Sequence, residues 1–287
     1  MSYRKRASPL HAARAGAAWS YCLALGFAAL ILDNPVALGA LTAALLLAAA
    51  GARVWRELRR ALVLAAPLAL MIAFVNALVT RDGLTVIVRL GDLPVLGHTD
   101  ITLEATAYGG VLGLRALALI LCGGLYTLAV DPDEVLRLFR RVSFHSALTA
   151  TLATRMVPVL LRDSKRLGEA QRCRPGTPPS RAALMRAATA GVLDRALDVA
   201  AALEVRGYGA ARRPPRARAP WSRHDLAFAA CAVTIAVLAV VIRFGALAPF
   251  HAYPALALEL RPGGAAAIAA LLACALAPFA DRRGIQA

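Results

Sequence analysis

Two short arginine motifs hold the residues best suited to specific chemistry in this chain. One is Glu169-Ala170-Gln171-Arg172-Cys173-Arg174-Pro175-Gly176, and the other is Ala202-Leu203-Glu204-Val205-Arg206-Gly207-Tyr208. Each sets an arginine at the end of a helix-forming run, ahead of a glycine able to stop it. The chemistry on offer is recognition, not bond-making. A guanidinium presents a rigid fork of donors that fits a carboxylate, and a helix end exposes carbonyl acceptors beside it. The plain alternative is that both arginines are ordinary charges of a basic loop.

The other reactive side chains form no rival constellation. His11, His98, His145, His224 and His251 are scattered, and acids are nearly absent from the apolar runs. A membrane-embedded enzyme needs paired carboxylates, a histidine cluster or a nucleophile with its base. None of these is seen, so the chain reads as no enzyme, with no catalytic, cofactor-binding or metal-ligating residues. Of the five cysteines, Cys22, Cys122, Cys231 and Cys274 fall inside apolar runs, and these four with Cys173 form no CxxC pair. They read as small buried apolar residues, not as a disulfide framework or a zinc site. There is no Walker A motif, so any ATP must be bound by partner chains.

These motifs need elements to hold them, and composition says which kind. The chain is 59% hydrophobic yet carries a formal charge of +16, with a mean hydropathy of +0.61. The two properties are segregated, apolar runs alternating with arginine-rich segments. That is the pattern of a polytopic inner-membrane protein whose basic loops stay cytoplasmic. Nucleic-acid binding would explain the charge but not the bilayer-length apolar runs. Arginine over lysine and abundant alanine reflect a GC-rich genome. The first apolar run lacks a clean cleavage site and reads as a retained span, not a signal peptide.

Six runs emerge in order. Met1 to Arg14 reads as a cytoplasmic tail broken by Pro9, and Gly16 to Leu32 is the first run, with Trp19 and Tyr21 expected at the interface. Asp33-Asn34-Pro35 is a tight turn before the second run, Val36 to Ala52. Both runs are near the short limit for a ~30 Å hydrocarbon core. Arg53 to Arg60 is a basic loop, and Ala61 to Val79 is the third run, kinked at Pro67, with Asn76 expected to hydrogen-bond another helix. Thr80 to Thr102 predicts an external hairpin turning at Gly91-Asp92. The fourth run begins between Leu103 and Val111 and ends at Val130. Its Arg115 is expected to snorkel to the headgroups. Gly109, Gly110, Gly113, Gly123 and Gly124 give it small faces for close helix packing.

The basic block follows. Asp131-Pro132-Asp133-Glu134 is a helix start, leading into a basic amphipathic helix on the membrane face. Ser146 to Cys173 predicts a long, partly buried cytoplasmic helix, ended by Pro175, Pro178 and Pro179. Arg181 to Glu204 predicts the next helix, in which Leu184, Ala188, Gly191, Val192 and Ala196 suit a tight crossing. Asp194 and Asp198 beside Arg195 read as surface charges. Arg212 to Arg223 is a linker. Leu226 to Ile242 and Gly263 to Ala280 are the last runs, joined by an external loop from Arg243 to Pro262. The expected fold is therefore an all-α polytopic membrane protein of about six transmembrane helices. Residues 1–130 hold the N-terminal tail and first four spans, 131–223 a cytoplasmic coupling-helix region, and 224–287 the last two spans and a tail. Basic loops fall on one side throughout, which places both termini in the cytoplasm.

With these motifs in this setting, the chain resembles the transmembrane (T) component of energy-coupling-factor transporters, the family that includes the cobalt-transport permeases. The likeness rests on Val205-Arg206-Gly207 within LEVRGYG and on Cys173-Arg174-Pro175-Gly176 within EAQRCRPG. The segments DPDEVLRLFRR and ATRMVPVLLRDSKRLGEAQR add to it, and it covers roughly Ser8 to Tyr208. Neither motif has the alanine of the family's Ala-Arg-Gly pattern, and Pro175 stands between arginine and glycine in the first. The resemblance implies no ATP hydrolysis by this chain. It implies partnership with two ATP-binding-cassette ATPase subunits and a small membrane substrate-binding (S) component, for vitamin or cobalt and nickel uptake. It also implies that Arg174 and Arg206, with Glu169, Gln171, Cys173, Pro175, Gly176, Glu204, Val205 and Gly207 around them, contact the ATPases. A self-sufficient channel or secondary carrier is the nearest rival, and Arg115 and Asn76 are its only support.

Overall fold

The computed structural model describes residues 3–4, 6–80, 85–93, 97–139, 144–173, 180–207, 220–245, 247–251, 257–258, 261–281 and 283. The chain divides into two compact units. One comprises residues 1–135 and 221–287, the other residues 136–220.

The first unit is a bundle of apolar helices. After a short α1 (Pro9–Ala12) come α2 (Ala15–Ile31), α3 (Pro35–Gly51), α4 (Trp55–Val79), α5 (Leu103–Ala129), α9 (Arg223–Phe244) and α10 (Pro262–Leu276), the last extended by a 3-10 turn to Phe279. Strands β1 (Val86–Leu93) and β2 (Gly97–Thr102) pair antiparallel between α4 and α5, and the two-residue strands β3 (Phe250–His251) and β4 (Ala257–Leu258) pair between α9 and α10. α6 (Pro132–Phe139) begins in this unit. The second unit holds α7 (Phe144–Arg172) and α8 (Arg181–Val205).

Among the described residues, four helices, α4, α5, α9 and α10 with its 3-10 turn, are long and apolar enough to cross a bilayer, while α2 and α3 are apolar but shorter. At 17 residues each, α2 and α3 reach about 25 Å at ~1.5 Å per residue. α4 leaves Val63, Leu64, Leu68, Leu70, Met71, Phe74, Val75 and Val79 exposed. In water such a stripe would aggregate; against lipid tails it costs nothing. The fold is thus all-α and polytopic.

The buried interior is built mainly of alanine and leucine, which lets helix backbones approach closely. A Cβ on Gly109 would stand 2.6 Å from the Ala73 carbonyl oxygen, and one on Gly113 would stand 2.5 Å from that of Ala69. These two glycines therefore set the contact of α5 with α4. Gly124 meets Leu58, whereas Gly110 and Gly123 face open space. Asn34 caps α3, accepting from Val36 N–H at 2.8 Å, and its amide donates to the Ala248 carbonyl at 3.2 Å.

Several local expectations change. Pro9 does not break a tail but starts α1, capped by Ser8, and Leu10 is fully buried. Tyr21 is not at an interface. It is buried, donates its hydroxyl to the Ala275 carbonyl at 2.7 Å, and packs edge-on with Phe228 and Phe279. The basic loop shrinks to Ala52-Arg53-Val54, with Arg53 at φ 58°, and Trp55 to Arg60 form the first turns of α4. Asn76 accepts from Thr80 Oγ1 in its own helix end. In the hairpin, Gly91-Asp92 is a bulge inside β1, not the turn; Leu93 pairs with Gly97, and residues 94–96 lie outside the described residues. Glycine relieves the crowding where a bulge packs an extra residue into a strand.

Arg115 finds protein partners at the α2–α3 turn. Its Nη2 donates to Asp33 Oδ1 at 2.5 Å and to the Leu32 carbonyl at 2.9 Å. Arg243 Nε donates to the other oxygen of Asp33 at 2.9 Å. One carboxylate at the α2–α3 turn therefore neutralises charges from α5 and α9. That pairing lowers the cost of carrying these arginines on apolar helices.

Candidate docking surface

Both helices of the second unit form for local reasons. Ser180 caps α8, its hydroxyl accepting from Ala183 N–H at 3.3 Å. Pro158 lies inside α7. The helices meet across an open cleft of about 400 Å³, lined from α7 by Val157, Leu160, Leu161 and Leu167 and from α8 by Ala188, Gly191 and Val192. Ala196, expected at the crossing, is exposed.

One ion pair rivets the two helices. Arg195 Nη1 donates to Asp163 Oδ2 at 2.5 Å. Arg195 was expected among surface charges beside Asp194 and Asp198, but its partner lies on α7, 32 positions away in sequence. The hydrogen bond from Arg195, helped by Arg166 and Arg162, holds the Asp163 carboxyl below its usual range. The pair's contribution is therefore present above the ordinary aspartate value and fades as pH falls through the lowered one. Sequence reasoning missed this link because an arginine flanked by two acids on its own helix offers local partners.

The second arginine motif closes α8. Arg206 is the C-cap, its N–H donating to the Ala202 carbonyl at 3.2 Å. Gly207 follows at φ 75°, in the left-handed region, and its N–H donates to the Glu204 carbonyl at 2.9 Å. This is half of a Schellman stop, and glycine adopts it without a Cβ penalty. Glu204, Val205, Arg206 and Gly207 are all exposed, Val205 at 90%. The helix end thus displays a guanidinium, a carboxylate and an apolar side chain together.

The run-up to the first motif lies on the last turn of α7. Glu169 and Cys173 are exposed, with Cys173 N–H donating to the Glu169 carbonyl at 3.3 Å. Gln171 turns inward, and its Oε1 is buried with no hydrogen-bond partner among the described residues. Arg174, Pro175 and Gly176 lie outside the described residues, as does Tyr208. The structure therefore places one of the two arginines and the helix leading to the other.

Exposed apolar side chains interleaved with charges set this unit apart. Met185, Leu193, Leu197 and Val205 on α8 and Val157 and Leu161 on α7 are all more than half exposed. Interleaved arginines and acids make the surface amphipathic, as a protein-facing surface is. Among the described residues, no three His, Cys, Asp or Glu side chains gather as metal ligands. A groove in the first unit, lined by Trp19, Phe27, Leu30, Leu119, Tyr126 and Val233 among others, is almost wholly apolar.

Among curated proteins none matches the chain. A family model does: the model of the cobalt transport protein family CbiQ matches residues 6–216, and the chain belongs to that family.

Proposed function

We propose that this chain is the coupling (T) component of an energy-coupling-factor importer, passing the motion of two cassette ATPases to a small substrate-binding membrane partner. The observation that supports it best is the exposed end of α8, where Gly207 stops the helix and leaves Arg206 facing out beside Glu204 and Val205. An arginine at a capped helix end is a rigid plug for an acidic groove. Arg174 follows α7 in sequence as Arg206 follows α8, and in this reading each arginine serves one ATPase. Closing of the ATPase pair would draw the two helix ends together, and stiff helices turn that into a tilt. The family's name points to cobalt transport. In this reading the small partner selects the substrate, whether a cobalt or nickel ion or a vitamin. The arginine-rich segments support a cytoplasmic location for the docking unit and both termini, at the inner membrane.

A channel or carrier working alone is the second reading, and the charges inside the spans are what favour it. Those charges are mutually paired through Asp33, which is how structural charges in a membrane are held.

Affinity purification in mild detergent decides between them. The wild-type chain is expected to bring down two ATPases and a small membrane protein, and the Arg174→Ala, Arg206→Ala double variant to lose the ATPases and uptake while its spans stay folded. Full transport by the double variant overturns the assignment. So does recovery of the chain alone with transport activity in liposomes.

A further inference from the structure

The chain crosses between its two units at two places, after Val135 and before Trp221. On the first-unit side, both crossings are gripped by the same two residues, Arg14 and Ala15, at the start of α2. Ala15 N–H donates to Glu134 Oε2 at 3.3 Å, one residue before the outgoing crossing. Arg14 N–H donates to Asp225 Oδ1 at 2.7 Å, and its Nε lies 3.3 Å from Asp225 Oδ2. The same guanidinium lies 6.0 Å from the ring centre of Trp221, the first residue after the incoming crossing.

Each contact is independently braced. Asp225 is 1% exposed and also accepts from Ser222 N–H at 2.8 Å, closing a capping box on α9. A carboxylate this buried relies on these donors in place of water. Asp131 accepts from Asp133 N–H at 2.9 Å, fixing the start of α6. Behind Arg14, α1 packs on α9 and on the 3-10 turn with Leu10 fully buried. Arg6 bonds Glu57 and the Arg53 carbonyl at the start of α4. α2 itself packs along both α9 and α5.

We propose that Arg14 is a positioning residue for transmission. By holding Glu134's segment and Asp225's segment to one point, the Arg14-Ala15 node makes the two crossings move together and delivers that movement to α2. This inference rests on the coupling role proposed above. The residue does not touch substrate or nucleotide; it acts through Asp225 and Trp221. Without it, a push on one crossing is absorbed as local fraying of α6 or α9, and hydrolysis runs without uptake.

The test uses the whole assembly, this chain with its two ATPases and small membrane partner in liposomes, reading uptake per ATP hydrolysed. In Arg14→Gln, ATPase recovery and hydrolysis are expected to stay near wild type, while uptake per ATP falls by about tenfold, within the range of coupling energies between sites. Arg14→Lys keeps the charge opposite Asp225 and is expected to restore most of the ratio, which a purely structural role would not require. Glu134→Ala releases the other crossing and leaves the buried Asp225 pair intact. It is expected to lower the same ratio and serves if Arg14→Gln does not assemble. An unchanged ratio in an assembled variant overturns the proposal.

Should the wild-type chain recruit no ATPases, the coupling role itself fails, and hydrogen exchange on the isolated chain still tests the node. Arg14→Gln is then expected to speed exchange in residues 131–135 and 222–226 together. Faster exchange in 222–226 alone overturns the shared anchor.

Discussion

Gly207 decides how firmly Arg206 is presented. At φ 75° a residue with a Cβ costs about 1–2 kcal/mol in the left-handed region, and a β-branched one more. Gly207→Val therefore loosens the last turn of α8, where Arg206 and Gly207 donate back to Ala202 and Glu204. The expected result is faster hydrogen exchange across residues 202–207, reduced recovery of the ATPases, and an unchanged first unit. Gly207→Asn, whose side chain tolerates that conformation, is expected to stay close to wild type. Equal loss in both variants would mean that the side chain, not the backbone turn, matters at this position. The helix stop was legible in the sequence because Val-Arg-Gly is a local signal. The partners of Tyr21 and Arg115 were not. Tyr21 meets Ala275, 254 positions away, and Arg115 meets Asp33, 82 positions away, so distance from the end of an apolar run said nothing of what each would touch.

Apolar runs located the helices well, because lipid and protein core reject polar groups alike and both require continuous helical hydrogen bonding. The runs did not show which face of each helix meets protein. α4 illustrates this: from Ala61 to Val79 its sequence is apolar on nearly every face, yet only Ala61, Ala65 and Ala77 of that run are buried. The spacing of Gly109 and Gly113 in α5 was the one readable clue, and the structure sets both against the α4 backbone. The other three glycines of the set looked equivalent in sequence, since small residues on any face satisfy the same pattern. The difference is testable. Gly113→Leu must push α4 away from its closest neighbour and is expected to destabilise the bundle by roughly 1–3 kcal/mol, as overpacking does. Gly110→Leu and Gly123→Leu, which face open space, are expected to melt in detergent like the wild type. A Gly113→Leu protein with wild-type melting would mean that α4 is not held through this contact.

Across the whole chain, charge and exposure divide the same way as the two compact units. The first unit buries alanine and leucine and turns the rest of its apolar surface outward, as a lipid-facing bundle does. The second exposes arginines, acids and leucines along two helices joined by an ion pair. The cysteines report this division without any substitution. Cys22 and Cys122 are buried, Cys231 and Cys274 are half-buried on spanning helices, and Cys173 is exposed at the end of α7. A charged, membrane-impermeant maleimide needs a thiol that is open to water. The apolar, lipid-facing bundle denies that to Cys22, Cys122, Cys231 and Cys274. Intact cells are therefore expected to leave the protein unlabelled, and inside-out vesicles to give one label per chain, lost in Cys173→Ser. If the ATPases dock where proposed, adding them before the reagent is expected to slow labelling, because Cys173 precedes Arg174. Labelling of Cys173 from the outside of intact cells would reverse the assigned orientation, and a docking surface facing away from ATP could not perform the coupling proposed for it.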